Sequence, residues 1–245
     1  MLKIVIPMAG LGSRFKEAGY TFPKPLIEIN GKPMIEVVAN NLRPGEEHQF
    51  IFVCLQEHLE KYNLADLLRQ ISPDCKIVPI QGVTQGAACT VLLASQYINS
   101  EDEVVIANSD QFVDVKLSDF VKNARENSLD GLIMTFNSHH PKWSYAKLDE
   151  GGFVCEVAEK KPISSNATVG IYYFRHGKMF VNAAQEMIRK DIRTNNEFYV
   201  CPVYNELVLS GNKIKVFPID FSQMHGLGTP EDLNNFLKTE NSKKV

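Results

Sequence analysis

The sequence predicts a doubly wound, Rossmann-like α/β fold: a mixed, mainly parallel sheet with helices on both faces and an antiparallel addition. Three observations predict it. The run "LKIVIPM" (2–8) is almost unbroken in apolar residues, as a parallel strand covered on both faces must be. From there to Asp110, strand-like and helix-like runs alternate, the pattern of βαβ units. From about residue 130 the strand-like runs follow one another without helices between them, which points to antiparallel pairing.

Each element has its own signal. "PMIEVVANNL" (33–42) carries apolar residues at helical spacing behind a proline suited to a first helical position. "FIFVCL" (50–55) reads as a strand, "HLEKYNLADLLRQI" (58–71) as a helix and "KIVPI" (76–80) as a strand. A helix over "AACTVLLASQYI" (87–98) and a strand over "EVVIAN" (103–108) complete the first half. In the second half "GLIMTF", "YAKLD", "GFVCEVA" and "VGIYYF" are strands, with "DEGG" (149–152) as a hairpin turn. "KMFVNAAQEMIRK" (178–190) is helical and "IKVFPI" (214–219) a late strand. The last helix opens at Thr229-Pro230-Glu231-Asp232, where Thr229 can cap and Pro230 takes the first position. The tail "TENSKKV" reads as frayed. No internal repeat is present, and no hexapeptide repeat that would build a β-helix domain, so one domain over 1–245 is expected.

Composition narrows the function classes. A chain of 245 residues, 44% apolar, can bury a full core. A net charge of −3 argues against a general nucleic-acid binder. No run approaches the roughly 18 apolar residues of a spanning helix, so no membrane partner is expected. "LKIVIPMAGLG" lacks a charged leading region and reads as a strand rather than a signal peptide. The five cysteines (Cys54, Cys75, Cys89, Cys155, Cys201) form no CxxC pair, and reduced, buried, structural thiols of a cytoplasmic protein are expected.

The chemistry-bearing stretch is "MAGLGSRF" (8–15), which follows the first strand, where open α/β sheets bind ligands. Gly10 and Gly12 let backbone N–H groups approach an anion closely. A dinucleotide fingerprint fails because Phe15 stands at the third glycine position, and no GK[ST] makes a Walker loop. Arg14 follows, then Phe22-Pro23-Lys24-Pro25-Leu26 and Gly31-Lys32-Pro33-Met34-Ile35. Prolines on both sides of Lys24 stiffen its segment and make it a fixed point charge.

In this order G-x-G-S-R, P-K-P-L and G-K-P-M-I resemble the signature of the sugar-phosphate nucleotidyltransferases, the nucleoside-diphosphate-sugar pyrophosphorylases. Further matches run to about residue 237: "QGVTQGAA" (81–88), "IANSDQ" (106–111), "VAEKKP" (157–162), "TVGIYYF" (168–174), "EFYVCPVYNE" (197–206) and "GLGTPEDL" (226–233). The resemblance implies that a phosphate-monoester oxygen attacks the α-phosphorus of an NTP and pyrophosphate leaves, making an NDP-sugar for surface (capsule) polysaccharide. It implies a nucleotide-binding half over 1–115 and an acceptor-binding half over 130–225. Ala9, Gly10, Leu11, Gly12, Ser13 and Arg14 would cradle the triphosphate, with Arg14 and Lys24 on the reacting phosphates. Asp110 would hold Mg²⁺. Gln81 would read the base, mildly favouring a pyrimidine, beside Gly86. Tyr145, Glu159, Lys160 or Lys161, Gly170 and Glu197 would hold the acceptor. A homo-oligomer is plausible on the same ground.

The match breaks in two places. Where many relatives carry a second metal aspartate this chain has Gly226, so His225 or Asp220 substitutes, or Asp110 serves with water and phosphates. The segment "SHHPKWSYAK" (138–147) departs from a generic hexose site: Trp143 and Tyr145 either stack on a sugar or pack beneath a loop, and His139-His140 reads as loop. Alternatives are therefore a non-sugar acceptor (a polyol, choline or amino-acid-like phosphate), a glycosyltransferase of related fold, and a nucleotide-binding regulator without catalysis. Asn108-Ser109-Asp110 in place of D-x-D weakens the glycosyltransferase. Arg14, Lys24 and Asp110 together weigh against the regulator.

Overall fold

Strand β1 (Leu2–Pro7) lies inside the sheet, and every residue but Pro7 is buried, as the apolar run requires. The computed structural model describes residues 1–245. After β1 come α1 (Ser13–Glu17), the small hairpin of β2 (Glu28–Ile29) and β3 (Lys32–Pro33), and α2 (Met34–Asn41). Then follow β4 (His48–Leu55), α3 (Gln56–Tyr62), α4 (Leu64–Ile71), β5 (Lys76–Ile80), α5 (Ala87–Leu92), α6 (Ser95–Ile98) and β6 (Glu103–Ala107). The remainder is β7 (Gln111–Val113), α7 (Leu117–Glu126), β8 (Gly131–Asn137), β9 (Ser144–Leu148), β10 (Val154–Glu159) and β11 (Asn166–Phe174). Last come α8 (Gly177–Arg189), α9 (Val203–Leu209), β12 (Ile214–Pro218), β13 (Met224–Gly226) and α10 (Pro230–Leu237).

Nine of these strands form one sheet. β5, β4, β1 and β6 pair in parallel in that spatial order. β11 runs antiparallel to β6, β8 antiparallel to β11, and β12 parallel to β8. Two reversals restore direction, so β8 and β12 point the same way as β1. All four runs from 131 to 174 pair antiparallel with one another, as expected. β11 is the reversed strand of the main path, and the β9–β10 hairpin attaches to it at Ala167. "DEGG" does form the hairpin turn, with Asp149 N donating to Phe153 O at 2.8 Å.

Side chains alternate across the sheet with the period of two that a pleat imposes. Leu2, Ile4, Ile6, Phe50, Phe52 and Cys54 enter one core, while Val5, Ile51, Val53 and Leu55 enter the other. The first core is covered by α2, α4, α7 and α10, the second by α5, α8 and α9.

Several boundaries differ from expectation. The helix read over 58–71 is two, broken where Asn63 takes a left-handed φ of 49°. The helix over 87–98 is interrupted by a turn at Leu93 and Ala94. Pro33 pairs in β3, and its helix starts one residue later. Three helices lie outside the predicted set: α1, inside the stretch read as the glycine loop, α7 and α9. In α7, Leu117, Phe120, Val121 and Ala124 carry a clear helical stripe; α9 is too short to show one. The tail is not frayed: residues Glu240–Lys244 form a 3-10 turn, Ser242 is buried, and Asn30 Nδ2 donates to its carbonyl at 2.6 Å. All five cysteines are free; Cys54 and Cys201 are buried, but Cys155 is exposed, so burial of the thiols holds only in part. No helix is long and apolar enough to cross a membrane.

Candidate active site

Beyond the carboxyl ends of β1 and β6 lies a cleft of about 890 Å³. Residues 9–14 cross one wall of it, between β1 and α1. Phe15 is buried and anchors α1, which leaves Arg14 exposed on the cleft side. Gly12 takes a left-handed φ of 61°, and its carbonyl accepts from Phe15 N (3.0 Å) and Lys16 N (3.2 Å).

Lys24 opens a short 3-10 turn held by buried Pro25. Its Nζ donates to Asp110 Oδ2 at 2.9 Å, joining residues 86 positions apart. Asp110 follows β6, and its carbonyl accepts from Leu227 N at 2.7 Å, which fixes the loop before α10 beside it. The floor is built on Gly170, whose carbonyl accepts from Asn108 N (3.0 Å) and Gln111 Nε2 (3.1 Å).

At the other end Glu159 closes β10, and Ser144 Oγ donates to its carboxylate. Burial raises the Glu159 pKa, opposed by the Ser144 bond and by Lys160. Lys160 Nζ donates to Tyr199 OH at 2.6 Å and lies 4.7 Å above its ring, while Tyr199 OH donates to Glu197. Burial and the Glu197 carboxylate push the Tyr199 hydroxyl up.

A carboxylate whose folded pKa is raised binds its proton more tightly folded than unfolded. Its contribution to stability therefore falls as pH rises through the folded value. Glu159→Gln is expected to raise the unfolding midpoint more at pH 8 than at pH 5; equal shifts at both pH values in thermal melts would count against the burial argument.

Of the expected residues, 9–14, Lys24, Gly86, Asp110, Glu159, Lys160, Gly170 and Glu197 line the cleft. Four do not. Gln81 is exposed after β5, outside the lining residues. Lys161 is exposed next to Lys160 but off the wall, so of the two lysines Lys160 is the one at the cleft. Tyr145 is buried in the core with its OH donating to His140 O at 2.7 Å; the pleat turns Ser144 to the cleft instead. His225 is turned away for the same reason: Met224 and Gly226 line the cleft, while His225 packs against Phe112 and Phe236, with Nε2 3.2 Å from Asn241 Nδ2. Burial lowers its pKa. His225→Ala is expected to leave divalent-cation affinity unchanged, measured by Mn²⁺ electron paramagnetic resonance. Asp220 is exposed and caps the Phe221–Gln223 turn, away from the cleft.

Trp143 lines the cleft and packs edge-on to Phe136 of β8 at 5.2 Å. Residues 138–140 are loop, as read. Ser144, Tyr199 and Asp232 are cleft residues that sequence reasoning passed over. Asp232 hides in the helix cap, where Thr229 Oγ1 donates to its Oδ2 at 2.7 Å and accepts from its N–H at 3.1 Å. A helix cap explained it fully, so nothing flagged it.

The donor chemistry at this end fits Mg²⁺. Asp110 and Asp232 are hard carboxylates on the same wall. A Cβ at Gly228 would stand 2.7 Å from Asp110 Oδ2, so that glycine keeps space clear beside the carboxylate. Asp232 stands beside Gly226, where a Cβ would lie 3.5 Å from its Cγ.

A mixed α/β sheet with a glycine loop, a braced lysine and an aspartate around one polar cleft defines a protein that handles phosphorylated ligands. The chain belongs to the Nucleotidyl transferase family, whose profile matches residues 3–222. It is 27% identical over 157 residues to the UTP–glucose-1-phosphate uridylyltransferase of Haemophilus ducreyi, covering 56% of this chain and 52% of that one. It is 22% identical over 241 residues to the uridylyltransferase of the same name from Haloferax volcanii, covering 94% and 93%. The chain therefore spans about half the length of the Haemophilus relative and nearly all of the Haloferax one. The crystal structure of a nucleoside-diphosphate-sugar pyrophosphorylase from Vibrio cholerae RC9 superposes with a TM-score of 0.83 at 28% identity, over 96% of this chain and all of that one.

Proposed function

We propose that this chain transfers a nucleotidyl group from an NTP to a sugar 1-phosphate, releasing pyrophosphate and forming an NDP-sugar. The observation that carries the reading is the Lys24–Asp110 contact at 2.9 Å, in one cleft with residues 9–14. In this reading an acceptor phosphate oxygen bonds to the α-phosphorus while the bond from that phosphorus to the leaving pyrophosphate breaks. Residues 9–14 hold the triphosphate by backbone N–H groups, and Arg14 neutralises the departing pyrophosphate. Lys24 stabilises charge on the α-phosphate and the incoming oxygen. Lys160 meets the acceptor phosphate, and Glu159 and Glu197 accept from its hydroxyls. Asp110 and Asp232 would hold Mg²⁺, which when bound would offset charge on the phosphates. The sequence halves 1–115 and 130–225 serve donor and acceptor respectively.

The experiment is a pyrophosphate-release assay crossing NTPs with a panel of phosphate monoesters, with and without Mg²⁺. Release that needs both substrates and Mg²⁺ is expected, with a pyrimidine triphosphate as best donor, because the two relatives above are UTP enzymes. Release with a choline, polyol or amino-acid-like phosphate alone would replace the sugar. Transfer only from a preformed NDP-sugar, without pyrophosphate, would make the protein a glycosyltransferase. In the sugar reading the NDP-sugar supplies surface polysaccharide synthesis from the cytoplasm.

A further inference from the structure

Between α8 and α9 the chain makes a tight strap over residues 191–198. Asp191, Asn195 and Asn196 stand in the left-handed region, at φ of 53°, 50° and 63°. Asp and Asn visit that region more readily than other side chains. Thr194 N donates to Glu197 O at 3.0 Å, and Glu197 N to Thr194 O at 2.9 Å. The turn thus closes on itself next to Glu197, whose side chain faces the cleft.

Arg193 stitches this strap together and ties it to a second loop. Its Nε donates to Asp191 Oδ1 and its Nη1 to Asn196 O at 3.3 Å. Its Nη2 donates to Gln85 Oε1 at 3.1 Å, across 108 residues of sequence. The guanidinium also lies 4.2 Å above the ring of buried Phe198. The main chains then lock: Phe198 N donates to Gln85 O at 2.8 Å, and Ala88 N to Phe198 O at 3.0 Å. Gly86 permits this approach, since a Cβ there would lie 2.4 Å from Phe198 O. Thr84, Gly86 and Ala87 line the cleft on one side of the joint, and Glu197 and Tyr199 on the other.

We propose that Arg193 is a positioning residue that joins the 84–88 loop and the Glu197 strap into one unit, so that order at either substrate loop is order at both. A planar guanidinium suits the task, because it makes three directed bonds and a stacked face at once, which a lysine does not. The kinetic part of the proposal rests on the proposed reaction; the structural part does not.

The test uses the full chain with Arg193→Ala, Arg193→Lys and, as a milder cut, Gln85→Ala. Amide hydrogen exchange at residues 85–88 is expected to quicken in all three, while exchange in β4 stays unchanged. KM for both NTP and acceptor is expected to rise roughly tenfold in Arg193→Ala, the factor a charged hydrogen bond supports, with kcat changing less. Arg193→Lys should recover only part of that loss. Unchanged exchange at 85–88 in Arg193→Ala, or a rise confined to one substrate's KM, overturns the proposal. If Arg193→Ala does not fold, Gln85→Ala decides by the same two readouts. If the wild-type chain releases no pyrophosphate from any pair, the reaction falls, and the exchange result still decides whether the two loops are one unit.

Discussion

Lys24→Ala is expected to lower turnover by roughly a hundredfold or more, with little change in the unfolding midpoint. The first half follows from where the charge stands. Pro23 and buried Pro25 fix the backbone on both sides, and the ammonium reaches Asp110 at 2.9 Å on the cleft wall. In the proposed reaction no other lysine is held on that side of the cleft, and removing one preorganised charge from a transition state costs about 10²–10³ in rate. The second half follows from burial. The Lys24–Asp110 pair is partly open to solvent, and such pairs add little to stability. Lys24→Arg is not expected to restore the rate, since a broad guanidinium does not replace a compact point charge. Pyrophosphate release and thermal melts on the same preparations check both halves. A near-normal rate would remove Lys24 from the mechanism, and a collapsed melt would make its role structural.

Gly170→Ala is expected to cost about 2–4 kcal/mol of stability, in the range of the largest single-site effects. Two causes act together. Gly170 has φ 97°, where an L side chain is strained. A Cβ there would also stand 2.3 Å from Asn108 Nδ2 and 2.6 Å from Gln111 Oε1. Gln111 does not retreat freely, because its Nε2 donates to the Gly170 carbonyl, whereas the Asn108 amide can turn aside at lower cost. The strain falls on the segment that carries Asp110 between them, so turnover should fall with stability. Urea denaturation measures the first and pyrophosphate release the second. A variant as stable as the parent would show that the backbone at Gly170 relaxes without cost.

The elements most legible in the sequence are those whose signal is local. β1 and β5 match their apolar runs, and α10 starts where its cap and proline place it. α7 is equally legible, through Leu117, Phe120, Val121 and Ala124 at helical spacing. The direction of β8 was not legible, because strand direction depends on which neighbour pairs with it, and β11 intervenes from a distant part of the chain. The break at Asn63 illustrates a weaker limit: the apolar stripe continues across it, and only the backbone turn divides the helix.

The site divides along the same line. The loop 9–14, Lys24, Asp110 and Glu159 come with neighbours that announce them, a glycine pair, two prolines, a strand end and an E-K-K-P run. Tyr145 and His225 were misplaced by a single step of the pleat, which sends alternate residues to opposite faces of a strand. The sequence by itself determined the alternation of strands and helices, the phosphate-directed loop and the fixed positive charge beside it. Only the tertiary structure decided which of two adjacent residues faces the cleft, that Asp232 stands on the same wall as Asp110, and that Arg193 reaches Gln85. Those facts depend on pleat register and on contacts between segments far apart in the chain, and such contacts leave no mark on the residues beside them.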